Sequence, residues 1–126
     1  MNEDTALMKA VMNGRMDLVE SLLVDGLKIN LDLRTSDGST ALILAVKRGD
    51  EDMAIRIIEA GCDLNMHTDD GCNALIKSCN FGYERIVKAL IAHGANVNEY
   101  SKNGNTGFSM YNSSTSEFAL FLTTVV

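Results

Sequence analysis

Two pairs of glycines constrain this chain more than any other feature. Gly49 and Gly82 stand 33 residues apart, and so do Gly61 and Gly94. Each pair punctuates the same local pattern. Leu75, Ile76 and Cys79 give one apolar face of a short helix that stops near Gly82. Ile86, Val87, Leu90 and Ile91 follow at i, i+1, i+4 and i+5, the buried stripe of a second helix that Gly94 ends. Asn73 is placed to cap the first helix, because its side-chain oxygen can accept one of the backbone N–H groups that a helix start leaves unpaired. Turn, short helix, tight turn and longer helix make a hairpin too small to bury its own apolar faces. Such a unit is stable only when stacked on copies of itself.

The copies are visible along the chain, with approximate bounds of 4–34, 35–67, 68–100 and 101–126 in a single domain. In the first, Thr5-Ala6-Leu7 opens the unit, Gly14 closes the first helix, Leu18, Val19, Leu22 and Leu23 repeat the stripe, and Gly26 ends the second helix. Almost nothing precedes Thr5, so this copy lacks a turn finger and reads as a capping repeat, with Lys9, Asp17 and Glu20 available for a polar outer face. The second copy has Thr40-Ala41-Leu42, then Met53, Ala54, Ile57 and Ile58 as its stripe. Gly14 and Gly49 are 35 residues apart, which places a two-residue insertion in the segment 27–37. Its alternating Leu27, Ile29, Leu31 and Leu33 fit either an ordinary loop with half-buried leucines or a short hairpin arm. The fourth copy keeps Ser101-Lys102-Asn103-Gly104-Asn105-Thr106 and Phe108, then loses the pattern.

The stretch Asp70–Asn98, with its recurrences, resembles the ankyrin repeat, whose period is 33 residues and whose motif starts T-P-L-H-x-A. The resemblance covers nearly the whole chain and implies an all-α, ankyrin-type solenoid of stacked helix–turn–helix repeats with short β-turn fingers. The match is incomplete. The Pro place of the motif holds Ala6, Ala41, Ala74 and Gly107, and the His place holds Met8, Ile43, Ile76 and Ser109. Losing the His removes a hydrogen bond worth about 0.5–1.5 kcal/mol per repeat. A diverged array of moderate stability is therefore expected.

The resemblance also implies where a partner would bind: on the concave side, at the finger tips and the exposed end of each first helix. In the second repeat those places are Ser36, Asp37, Ser39, Lys47 and Arg48. In the third they are Asp69, Asp70, Cys72, Asn80 and Phe81, and in the fourth Lys102, Asn103 and Asn105. Phe81 has two readings, a binding anchor or a ring packed on the neighbouring repeat.

Composition narrows the function classes. A net charge of −6 offers no basic surplus with which to displace counterions from phosphates, so a nucleic-acid binder is not expected. No apolar run approaches the length of a membrane span, and the start Met-Asn-Glu-Asp has no secretory character. Cys62, Cys72 and Cys79 are odd in number and lack CxxC spacing, which fits small apolar residues in a reducing, cytoplasmic or nuclear setting. No nucleophile with a base, convergent carboxylate pair, phosphate loop or metal cluster is apparent, and no cofactor is implied. Asp50-Glu51-Asp52 reads as a helix start favoured by the helix dipole. The leading expectation is a non-enzymatic protein–protein interaction module, an adaptor or a surface-covering inhibitor. The alternative is an accessory segment of a larger assembly, or a fragment of a longer protein, that docks through its apolar C-terminus.

That terminus, Phe118 to Val126, is apolar where a stack normally ends polar. Packing as a terminal cap, self-association, and capture of Thr124-Val125-Val126 by a strand-adding domain remain open from the residues. A monomer is favoured over a homodimer.

Overall fold

The computed structural model describes residues 3–23 and 30–95, with side chains from residue 6 onward. Six α-helices occupy these residues: α1 (Glu3–Met12), α2 (Met16–Leu22), α3 (Ala41–Arg48), α4 (Glu51–Glu59), α5 (Ala74–Phe81) and α6 (Glu84–Ala92). No β-strand occurs among the described residues; His67 and Asn73 form an isolated antiparallel bridge. The helices form three antiparallel pairs. α1, α3 and α5 pack side by side as one layer, and α2, α4 and α6 as the other. The result is the helical solenoid that the register predicts.

The helix boundaries follow from local chemistry. Thr40 caps α3 by accepting from Ile43 N at 3.3 Å, and Asn73 caps α5 by accepting from Ile76 N at 2.9 Å. Gly49 and Gly82, both with φ of 77°, turn the chain out of α3 and α5 in the left-handed conformation that glycine adopts without steric cost. Asp50 then caps α4 by accepting from Met53 N at 3.2 Å. In α6 the corresponding place holds Tyr83, which makes no side-chain cap. α1 differs from its counterparts by starting at Glu3, two residues ahead of Thr5, so Thr5 lies inside the helix.

The stripes meet in one core. Val19, Met53, Ala54, Ile57, Ile58, Ile86, Val87 and Leu90 are all buried, as are Leu42, Val46, Leu75 and Cys79 from the other layer. Leu18 departs from the pattern and stays 44% exposed. Met53 and Ile86 hold the same register place, but each has the outer helix of the preceding repeat beside it. Among the described residues α2 is the first outer helix, and none precedes it to cover Leu18. Leu22, Leu23 and Ile91 are half-buried. Cys62 and Cys79 are buried free thiols, and burial pushes both up to about 12. Cys72 is half-buried and shifted the same way by desolvation.

Part of the insertion is described. Residues 30–37 form turns without strand, and Leu31 and Leu33 are half-buried, which is the ordinary loop rather than a hairpin arm for this part. Asn30 Oδ1 accepts from Asp32 N at 2.9 Å, and Asp32 Oδ1 in turn accepts from Asp63 N at 2.9 Å. The longer segment is thus tied to the equivalent point of the next repeat. Leu27, Ile29, Gly26, the fourth copy and the apolar C-terminus lie outside the described residues.

Candidate partner-binding surface

The fingers are built from a four-residue pattern that occurs twice, Thr35-Ser36-Asp37-Gly38 and Thr68-Asp69-Asp70-Gly71. In each, the glycine N–H closes a turn on the threonine carbonyl, Gly38 on Thr35 at 3.0 Å and Gly71 on Thr68 at 2.8 Å. The threonine hydroxyl donates to the aspartate, Thr35 to Asp37 and Thr68 to Asp70. The same carboxylates accept from the backbone two residues on, Asp37 from Ser39 N at 3.2 Å and Asp70 from Cys72 N at 3.0 Å. Each finger is therefore braced internally by its own Thr and Asp.

Neighbouring fingers are also braced to each other. Asp69 N donates to Asp37 O at 3.0 Å. Arg34 lies along the seam, with Nη2 donating to His67 O at 2.7 Å and Nε to Gly38 O at 3.3 Å. A row of fingers held in this way presents its exposed tips, Ser36 and Asp69, at a fixed spacing.

Between the fingers and the inner helices lies a cleft of about 210 Å³ lined by Asp37, Lys47, Thr68, Asp69, Asp70 and Lys77. Lys47 Nζ donates to Asp37 Oδ2 at 2.9 Å and to Ser39 Oγ at 2.8 Å. Lys77 Nζ stands 3.6 Å from Asp70 Oδ2, with its side chain only 14% exposed. The Thr35 hydroxyl, then Lys47 and Ser39, hold the Asp37 carboxyl well below the usual carboxylate range. Asp70 is lowered to about 2, first by the Thr68 hydroxyl and with help from Cys72 N and Lys77. The cleft thus presents charged side chains of both signs, suited to directional polar contacts. Among the described residues, no group of three or more His, Cys, Asp or Glu is disposed to hold a metal ion. No helix among them is long and apolar enough to cross a membrane.

The structure separates the residues that the resemblance grouped. Asp37, Lys47, Asp69 and Asp70 converge on the cleft, and Ser36 is an exposed tip. Ser39 corrects the expectation: it is fully buried, and its hydroxyl supports Lys47 instead of facing a partner. Arg48 is corrected in part. Its residue is exposed, but Nη1 donates to Met12 O at 3.1 Å and the guanidinium lies over Gly14, so it ties α1 to α3. Cys72 is half-buried at the finger base. Asn80 and Phe81 are exposed at the opposite end of α5 from the finger. Phe81 packs on Tyr83 of its own repeat and stays 50% exposed. Lys102, Asn103 and Asn105 lie outside the described residues.

Lys77 is the residue that sequence reasoning missed. By register it takes the place that Lys9 and Leu44 hold in the preceding repeats, and the recurrence of a lysine at this inner-helix position was its signal. The repeated Thr-x-Asp-Gly was likewise legible as a finger signature.

Braced fingers on two layers of paired helices define a stacked α-helical repeat protein. A family model described as ankyrin repeats (3 copies) matches residues 1–68 and 48–122. The chain belongs to the ankyrin repeat family, whose members are generally protein–protein interaction modules and typically not enzymes. Comparison with curated proteins finds no match.

Proposed function

We propose that this chain is a non-enzymatic adaptor or surface-covering inhibitor, acting as a monomer in a reducing compartment, that grips a protein partner with its fingers and inner helices. The observation that carries this reading is the cleft at Asp37, Lys47, Asp69, Asp70 and Lys77, with the two adjoining fingers locked together by the Asp69 N–Asp37 O bond. Preorganised polar groups lose little conformational freedom on binding, so more of the contact energy appears as affinity. Fixed charges of both signs also discriminate between partners, because a mismatched charge is costly when desolvated.

Affinity capture with the full chain, followed by quantitative binding of the captured protein to variants, tests the reading. Asp69→Arg changes a finger tip without touching the internal brace, whereas Glu59→Arg changes an exposed position on α4. The expected result is that Asp69→Arg weakens binding at least tenfold and Glu59→Arg leaves it unchanged. The reverse pattern would move the partner face to the outer helices. Light scattering that shows a concentration-dependent dimer would exclude the monomer.

A further inference from the structure

The turns that join the two layers carry a different surface, at the other end of the inner helices from the fingers. The 33-residue register lays residues 48–52 beside residues 81–85. Phe81 leaves half of its surface exposed at the end of α5. Its ring rests on Tyr83, with centroids 5.6 Å apart and planes tilted by 33°. Tyr83 in turn crosses to the preceding repeat, where a Cβ on Gly49 would stand 2.7 Å from its Oη. The aromatic pair therefore bridges the two turns. It does so next to an open depression lined by Arg48, Gly49, Asp50, Glu51 and Asp52.

The charge at this place is unbalanced. Arg85 Nη2 donates to Asp52 Oδ1 at 2.8 Å while Nη1 stands 3.6 Å from Glu51 Oε2. One guanidinium thus serves two carboxylates, each of which has lone pairs to spare. The other cation of these turns, Arg48, is directed at the Met12 carbonyl. The α4 N-terminus contributes only about half a positive charge, less than the carboxylates around it. The exposed ring and the surplus carboxylates belong to the same two turns, which Tyr83 at Gly49 and Arg85 at Asp52 hold together. Such a combination attracts a cation twice over, through the ring quadrupole and through charge-assisted hydrogen bonds. A plain apolar side chain would use only the ring, and an anion would be repelled. A planar guanidinium uses both, since it stacks on a ring while its edge donates to carboxylate.

We propose that this aromatic and acidic shelf docks an arginine side chain from an exposed basic segment of a partner protein. It uses no finger residue, so it goes beyond the finger reading and stands or falls separately from it.

The test is a titration of the isotope-labelled full chain with acetyl-Ala-Arg-Ala-Arg-Ala-amide, followed by backbone amide NMR. The same peptide with citrulline in place of arginine serves as the neutral isostere. Shifts should concentrate in residues 48–52 and 81–85, shrink with added salt, and be absent with the citrulline peptide. Phe81→Ala and Phe81→Leu should each raise Kd about two- to fivefold, because both remove the π face, while the unbound spectrum stays native. Glu51→Gln with Asp52→Asn should weaken binding further, and Asp69→Arg should leave it unchanged. Shifts confined to the fingers, equal binding of the citrulline peptide, unaltered Kd in Phe81→Leu, or no shifts at all would each overturn the proposal.

Discussion

At the scale of single residues, the finger aspartates show how much one side chain carries. Asp70 accepts from the Thr68 hydroxyl and Cys72 N and faces Lys77. Its folded pKa of about 2 lies below the ordinary 3.8. A lowered pKa means that the ionised form is favoured by folding, so this contribution is complete above pH 3.8 and is lost as pH falls through 2. Asp37 is shifted in the same direction. Thermal unfolding followed from pH 5 to pH 2 should therefore show stability falling below about pH 4. In Asp70→Asn the fall should be shallower and the starting stability lower. An unchanged acid slope in the variant would show that Asp70 is not coupled to folding. Asn73 offers a second check at this scale. It is 1% exposed and caps α5, so Asn73→Ala should cost about 1–2 kcal/mol in a denaturant titration.

At the scale of elements, the glycine exits from the inner helices decide whether a repeat closes. Gly49 has a φ of 77°, and a Cβ there would meet Tyr83 Oη at 2.7 Å. Gly49→Ala should destabilise the chain by about 1–2 kcal/mol from the left-handed backbone alone, and by more because Tyr83 must move. Part of that second cost should vanish in a Tyr83→Phe background, which a double-mutant cycle by chemical denaturation measures. Additive changes would mean that the ring yields freely. α6 starts without a side-chain cap because its N-cap place lacks the short Ser, Thr, Asp or Asn side chain that capping needs. Tyr83 occupies that place and reaches back to Gly49.

At the scale of the whole molecule, stability comes from the seams between repeats, because no hairpin buries both of its own faces. Ile57 and Leu90 are fully buried at such a seam. Changing either to Ala should cost about 2–4 kcal/mol, through lost transfer energy and the cavity left behind. A denaturant midpoint that stays put in Leu90→Ala would place the seam elsewhere. The seams also carry polar ties between repeats, from Arg34 to His67 O, Arg48 to Met12 O and Arg85 to Asp52. A chain with diverged motif residues thus keeps its repeats joined by arginines as well as by apolar contact.

The sequence by itself determined the repeat register, the helix pairs, the cap at Asn73, the helix start at Asp50, the glycine exits and the buried stripes. All of these depend on residues within a turn or two of one another, on backbone conformations that only certain residues adopt, and on a period that a linear chain displays. Tertiary structure alone decided that Ser39 is buried, that Arg48 is spent on Met12, that Leu18 stays exposed and that Lys77 faces Asp70 across a cleft. It also decided that Phe81 leans on Tyr83, which crosses to Gly49. Several of these outcomes depend on a contact between residues one repeat apart. Which long side chain reaches across that gap is set by packing at the seam, a quantity that neither residue carries alone.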